Sequence, residues 1–124
     1  MLAYHLNEST GIVELRPRGR LEARDFESLT LTVDGYLEDH GKLRGVVVEL
    51  DHFPGWDDWD AINAHLRFLR QHLPRIERVA LVTDNPWLEP LPDVLSLVTP
   101  LEVRRFANER RGDAFAWVAS AHAH

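Results

Sequence analysis

The sequence predicts an α/β domain built on a mostly parallel sheet. Two observations support this fold class. Segments typical of strands and helices alternate strictly after an N-terminal pair of strands, and the central strand segment is almost wholly apolar. Strict alternation implies parallel strands joined by right-handed crossovers. The 124 residues show no linker or internal repeat, so we expect residues 1–124 to form a single domain around one core.

The first elements are predicted to be a hairpin and a helix. Residues 3–6 and 12–17 are typical of strands, and the polar link between them ends in Gly11. A helix follows over residues 22–40, because apolar side chains recur at three- and four-residue spacing, and Gly41 ends it. The predicted buried face of this helix contains Phe26, Leu29, Val33, Tyr36 and Leu37.

A second strand and helix follow. Residues 45–50 are apolar except for Glu49, which predicts a central strand covered on both faces. The next helix spans about residues 56–73 and is ended by Pro74. Residues 78–83 form another short apolar segment and predict the next strand.

The last third of the chain is less regular. Residues 87–98 have apolar helical spacing, but two prolines interrupt the segment and weaken its backbone hydrogen bonding. A last strand is predicted at residues 102–106. Asn108 is a candidate cap for a final helix that runs through Ala119. The tail, residues 120–124, is expected to fray.

This arrangement resembles the STAS superfamily and, within it, the SpoIIAA-like branch of small bacterial proteins. The resemblance covers nearly the whole chain. It rests on the order and spacing of residues 21–26 (LEARDF), 45–50 (GVVVEL) leading to 53–56 (FPGW), 65–68 (HLRF) and 75–84 (RIERVALVTD). It implies four parallel strands in sequential order, an antiparallel first strand at one edge, and about four helices.

The resemblance also carries expectations about function. Anti-sigma-factor antagonists of this fold switch by phosphorylation of a serine at the start of the helix after the central strand. Residues 51–60 contain no serine, threonine or tyrosine, so phosphorylation at that position is impossible and the usual antagonist mechanism is disfavoured. The SpoIIAA-like branch instead suggests binding of an apolar ligand or a membrane through mobile helices.

Composition excludes several classes of function. The net charge of −6 and the pI near 5.6 argue against nucleic-acid binding. The absence of cysteine excludes disulfides and thiolate catalysis, and it fits a reducing cytoplasm. The sequence shows neither a signal peptide nor an apolar run long enough to cross a bilayer, so any membrane contact is expected to be peripheral.

No catalytic or metal-binding motif is visible. The loop acids Asp51, Asp57, Asp58 and Asp60 lack the spacing of a calcium loop, and helix capping is the favoured interpretation. The seven histidines form no HExxH motif, so surface or packing positions are expected for them. No serine lies in a nucleophile elbow, and no glycine-rich phosphate loop is present. We therefore predict neither an enzyme nor a cofactor.

The helix after the central strand is predicted to carry two apolar stripes. The stripe expected to pack on the sheet contains Trp59, Ile62, Leu66, Leu69 and Leu73. The second stripe, about a third of a turn away, contains Ala61, Ala64 and Phe68. A helix that serves only the core would not need a phenylalanine on the second stripe, which suggests a ligand or a partner there.

These observations predict a binding site near the carboxyl ends of the strands, between helices that begin near Trp56 and Trp87. The candidate binding residues are Phe53, Trp56, Trp59, Phe68, Trp87, Leu88 and Leu91. The leading hypothesis is a non-catalytic domain that binds an apolar or amphipathic small molecule or lipid, with residues 87–98 as a movable lid. Plain core packing is the alternative for that segment. A protein-interaction module, such as a homodimer, is the alternative for the domain.

Overall fold

The computed structural model describes residues 1–50, 58–86, 90, 92–93 and 101–120. Five strands form one sheet in the order β1-β2-β3-β4-β5. They are β1 (Leu2–Asn7), β2 (Ile12–Pro17), β3 (Leu43–Glu49), β4 (Ile76–Val82) and β5 (Glu102–Phe106). β1 pairs antiparallel with β2, and every later pair is parallel. The predicted sheet, in sequential order with an antiparallel edge strand, is confirmed.

Three α-helices lie within the described residues: α1 (Ala23–His40), α2 (Trp59–His72) and α3 (Arg111–Ala119). Short 3-10 turns at Leu73–Arg75 and Asn108–Arg110 follow α2 and precede α3. The helix predicted at residues 87–98 lies outside the described residues, apart from the isolated positions 90 and 92–93. So does the tail from residue 121 onward.

The bounds of the elements differ slightly from the predictions. β3 begins at Leu43 and β4 at Ile76, each two residues earlier than expected. Both side chains are buried, and they are register partners across the parallel pair, so each extends its strand. Gly41 ends α1 as predicted: it has a φ of +80° and its N–H donates to the Leu37 carbonyl oxygen at 2.8 Å.

The predicted cap at Asn108 is wrong. A 3-10 turn begins at this residue, and α3 starts only at Arg111. The Asn108 backbone N–H donates to Asp84 Oδ1 at 3.0 Å. The segment after β5 is therefore anchored to the loop after β4, a contact between distant residues that local sequence does not encode.

The two faces of the sheet are covered by different helices. Val13 and Val46 face α1 and α2, where they join the larger apolar cluster with Phe26 and Leu29. The opposite face packs against α3, through the residues Ile12, Val47, Ala80, Val82, Phe106, Ala114 and Val118. Burial on both faces explains why the central strand lacks the polar alternation of a half-exposed strand.

The predicted sheet-facing stripe of α2 is only partly correct: Leu69 and Leu73 line the space above the sheet, but two other members do not. Trp59 and Leu66 were expected to pack on the sheet, but they are 76% and 53% exposed. The buried face of α2 contains Ala61, Ala64, Phe68 and His72. This face turns toward α1: the Phe68 ring lies 6.5 Å from the Phe26 ring, and His72 is bonded to Asp34. α2 therefore rests largely on a neighbouring helix, and the two small alanines allow that close approach.

Helix α3 lies close to β3 because position 45 is glycine. A β-carbon at Gly45 would lie 2.6 Å from the Arg78 carbonyl oxygen and would also meet Val118. Two arginines then hold the last turn of α3, since Arg44 donates to the Ala119 carbonyl and Arg78 to the Trp117 carbonyl. Cations at this end of a helix satisfy its free carbonyls and its dipole.

Replacing Gly45 with alanine should lower the free energy of unfolding by about 1–3 kcal/mol, because the new methyl overpacks the contact between β3 and α3. The control is Gly35→Ala on the exposed side of α1, where no atom lies within 4 Å of the added carbon. That change should stabilise the protein by about 0.5–1 kcal/mol. Urea unfolding measures both, and a neutral Gly45→Ala would contradict the close approach of α3.

Candidate functional site

An apolar cavity of about 310 Å³ lies between the sheet and helices α1 and α2. Alternate residues along the parallel strands form its floor, since side chains with a period of two share one face of a sheet. The floor includes Val13, Leu15, Val46, Val48, Val79, Leu81 and Val103. The stretches of valine and leucine that make the strands therefore also make a continuous apolar surface.

The roof of the cavity comes from the two helices. α1 contributes Leu29 and Val33, and α2 contributes Phe68 and Leu69. Phe68 was predicted as a binding residue on a second apolar stripe, and the structure places it in this wall. The lining contains 21 described residues, and His65 is the one that is not apolar.

His65 is the one titratable side chain in the described lining of the cavity. Its ring stacks on Phe26 with 4.8 Å between ring centroids and an angle of 18° between planes. Burial lowers the pKa of His65 from 6.5, because the surrounding apolar groups disfavour the charged ring. His65 is therefore neutral at pH 7, and a neutral imidazole can both donate and accept a hydrogen bond.

A polar clasp, His72–Asp34, joins the two helices that roof the cavity. His72 is 2% exposed and stacks on Phe68. Its Nε2 lies 2.8 Å from Asp34 Oδ1 on α1, and its Nδ1 lies 2.8 Å from the Phe68 carbonyl oxygen. Both partners offer acceptor oxygens, so a ring nitrogen that carries the proton donates to the oxygen beside it. The sequence expectation of a packing histidine holds for His72, but no signal in the sequence pairs it with Asp34.

The opposite face of the sheet carries a ring of four charges. Arg16 lies 2.9 Å from Glu14 Oε1 and 3.1 Å from Glu49 Oε2. Arg111, on α3, lies 3.1 Å from Glu49 Oε2 and also contacts Glu14 Oε2. The ring explains why one glutamate interrupts the apolar central strand. Its charges are matched in pairs, so we assign it a structural role.

The predicted binding residues fall into two groups. Phe68 lines the cavity, whereas Trp59 lies exposed in the first turn of α2 and is not part of the described lining. The other predicted residues, Phe53, Trp56, Trp87, Leu88 and Leu91, lie outside the described residues and stay predictions. Sequence analysis missed the strand residues of the floor, because an apolar strand side chain looks the same whether it meets a helix or a cavity.

The acids at the start of α2 behave as helix caps where they are described. The Asp58 side chain accepts a hydrogen bond from the Ala61 backbone N–H at 2.9 Å, and Asp60 lies in the first turn. Asp51 and Asp57 lie outside the described residues.

Over the part of the chain that the structure describes, no three metal-ligating side chains cluster. None of the described helices has the length and apolarity needed to cross a bilayer.

The lowered pKa of His65 predicts a specific loss of stability in acid. Above pH 6.5 the ring is neutral in both the folded and the unfolded chain, so its contribution is constant. Below pH 6.5 the unfolded chain takes up the proton first, and the free energy of unfolding falls until the lowered pKa of the folded state is reached. His65→Phe keeps an aromatic ring but cannot titrate.

Urea unfolding from pH 7.5 down to pH 5 should therefore show a steeper loss of stability in the wild type than in His65→Phe. The other titrating groups are common to both proteins and cancel in the comparison. Equal slopes would show that His65 is not shielded from water.

Comparison with known proteins identifies the family. A family model described as SpoIIAA-like matches residues 12–119. An uncharacterised protein from Shewanella loihica PV-4 with a SpoIIAA-like fold has a TM-score of 0.74 and 20% identity, over 95% of this chain and 92% of that chain. No significant match was found among curated proteins.

The anti-sigma factor antagonist SpoIIAA is also similar in structure. Its unphosphorylated form gives a TM-score of 0.55 at 13% identity, over 94% of this chain and 98% of that chain. The phosphorylated form of SpoIIAA, described as a Bacillus cell fate determinant, gives 0.51 at 13% identity, over 93% and 99%. These structures establish a shared fold, and the family match over residues 12–119 shows that the chain belongs to the SpoIIAA-like family.

Proposed function

We propose that this chain is a non-catalytic binding domain that holds an apolar or amphipathic small molecule between its sheet and helices α1 and α2. The SpoIIAA-like fold suggests a regulatory or binding domain rather than an enzyme. The observation that carries the finer proposal is the cavity of about 310 Å³, whose described lining is apolar except at His65. Concave, mostly apolar sites with few polar groups are typical of small-molecule pockets.

The size of the cavity supports useful affinity. A ligand that covers about 400 Å² of apolar surface, counting its own and that of the wall, gains about 10 kcal/mol at ~25 cal/mol per Å². Association costs at least about 4 kcal/mol. The remaining ~6 kcal/mol corresponds to a Kd of tens of micromolar. The contacts available in the cavity are thus sufficient without any charged anchor.

The fold also suggests how a ligand could affect the rest of the domain. α1 and α2 both line the cavity, and the His72–Asp34 clasp links them. A ligand that spreads the two helices would strain this clasp, whereas one that fits beneath them would leave it intact. Regulation through the family's switch serine is not part of the proposal, because residues 51–60 contain no hydroxyl side chain.

A second candidate function is a protein-interaction module. Trp59 and Leu66 are large, exposed and seven residues apart, so they lie on one side of α2. An exposed apolar stripe of this kind is a feature of interaction surfaces. Trp59→Ala would weaken self-association or partner binding if this surface is used, and native mass spectrometry would show the change in oligomeric state.

Filling the cavity should weaken the binding of an apolar probe. Val79 lies in the cavity floor, and Val79→Phe places a larger ring in the space that a ligand would use. We expect the wild type to bind N-phenyl-1-naphthylamine, with an increase in probe fluorescence, and the variant to bind it at least about tenfold more weakly. The matched control is Leu31→Phe, at a position on α1 that is 77% exposed.

Circular dichroism melting would confirm that both variants fold. Equal probe binding by wild type and a folded Val79→Phe would show that the probe binds elsewhere. Absence of probe binding to the wild type would remove the support for a small-molecule site.

A further inference from the structure

The two edge strands of the described sheet differ in charge. β5, at one edge, has a glutamate and two arginines among its five residues. β1, at the other edge, has six residues, and none is aspartate, glutamate, lysine, arginine or proline. β1 also pairs with β2 along its whole length without a bulge. Charges, prolines and bulges protect an edge from pairing with another chain, so β5 is protected and β1 has none of these three devices.

Alternate peptide groups of β1 point away from β2. Leu2 lies opposite Pro17, which has no N–H, and the Arg18 N–H donates to the Met1 carbonyl oxygen at 2.7 Å. Odd-numbered residues of β1 therefore hydrogen bond to β2, because bonded and non-bonded pairs alternate along an antiparallel ladder. The N–H and C=O groups of the even-numbered residues face outward, where none of the described strands pairs with them.

We propose that the outer edge of β1 binds a second copy of this chain, so that the two sheets join into one across a two-fold axis at Tyr4. With Tyr4 opposite Tyr4 of the second copy, Leu2 lies opposite Leu6 of that copy. Every outward N–H of one strand then donates to an outward carbonyl oxygen of the other. A shift of the register by two residues would leave some of these groups without partners.

The side chains of β1 suit contact with a second copy. Leu2 belongs to the larger apolar cluster, and the partly buried Tyr4 and Leu6 pack against it. The proposed register sets Tyr4 against Tyr4 and Leu2 against Leu6, and such cross-strand aromatic and aliphatic pairs stabilise a sheet. The apolar cluster would thus continue from one copy into the other.

Charge favours a second copy at this strand. The chain has a net charge of −6, so most of its surface opposes self-association. A two-fold axis brings each residue close to its own counterpart, which places like charges together wherever a charged residue lies near the axis. A strand without formal charge avoids this repulsion, and β1 is such a strand.

Helix α1 leaves room for the second copy. It contacts both β1 and β3, so it runs above β2, the strand between them. The Tyr4 hydroxyl oxygen lies 2.7 Å from Ser28 Oγ and 3.2 Å from Thr32 Oγ1, which places the tyrosine beside α1. The two copies of α1 would therefore flank the axis, with both tyrosine rings between them.

Paired substitutions at positions 3 and 5 test the edge and its register, because Ala3 lies opposite His5 of the second copy when Tyr4 is on the axis. We expect light scattering of the full chain to show a dimer, at twice the chain mass of 14.3 kDa. Ala3→Glu with His5→Glu sets like charges opposite each other and should raise the dissociation constant at least about tenfold. Ala3→Glu with His5→Lys sets opposite charges there and should restore the dimer.

Circular dichroism melting would confirm that both double variants fold. A wild type that stays monomeric at every concentration would overturn the proposal, as would a dimer that Ala3→Glu with His5→Glu leaves intact. Equal loss of the dimer in both double variants would overturn the register. Dissociation by Trp59→Ala alone would assign self-association to the exposed side of α2 instead.

A single cysteine tests the axis, because the chain has no cysteine of its own. Hydrogen-bonded partners on antiparallel strands have Cα atoms about 5.5 Å apart. A disulfide bridges Cα atoms about 4.4–6.8 Å apart. Tyr4→Cys should therefore form a covalent dimer under mild oxidation, seen on a non-reducing gel.

The matched control is Leu31→Cys, at a position on α1 that is 77% exposed, and it should remain largely monomeric. Equal crosslinking of the two variants would indicate random collision and would overturn the axis at Tyr4. Neither experiment involves a cavity ligand. A monomeric chain would therefore leave the proposed binding function standing, and a chain that binds no probe would leave the dimer standing.

Discussion

Burial of both faces of the central strand is the constraint on which the rest of this structure depends. Val46 and Val47 are adjacent on β3, and their side chains enter different apolar clusters on opposite sides of the sheet. Both faces must therefore be covered by helices. α1 and α2 cover one face and α3 covers the other, approaching β3 closely because Gly45 has no side chain.

The helices cover the two faces of the sheet in different ways. On the α3 face, apolar contacts are supplemented by the paired charges of Glu14, Arg16, Glu49 and Arg111. On the other face, α2 rests on α1 through Phe68 and the His72–Asp34 clasp, and an apolar space remains above the strands. Among the described residues, α2 packs mainly on α1 rather than on the strands, and the sheet face beneath the two helices borders the cavity.

Local sequence signals predicted much of the fold. The strands at Ile12–Pro17 and Glu102–Phe106 match their predicted bounds, although both contain charged residues among the apolar ones. The end of α1 matches because a glycine at that position adopts positive φ. The parallel order follows from strict alternation of strands and helices, a rule that depends on chain connectivity rather than on individual side chains.

Contacts between distant residues limited the remaining predictions. The apolar stripes of α2 were visible in the sequence, but the neighbour that each would meet was not, so Trp59 and Ala61 were assigned to the wrong environments. The His72–Asp34 pair joins residues 38 positions apart. An apolar pocket between the helices that begin near Trp56 and Trp87 was predicted, but the strand residues of the cavity floor were not, since their pattern equally predicts a filled core.

A crystal structure determined under xenon pressure tests the central claim most directly. Xenon occupies dry apolar cavities and reports them without any assumption about the natural ligand. We predict xenon density between Val46, Val79 and Phe68, beneath α1 and α2. A space at that position filled by protein side chains, or occupied by ordered water instead of xenon, would contradict an apolar binding cavity in this domain.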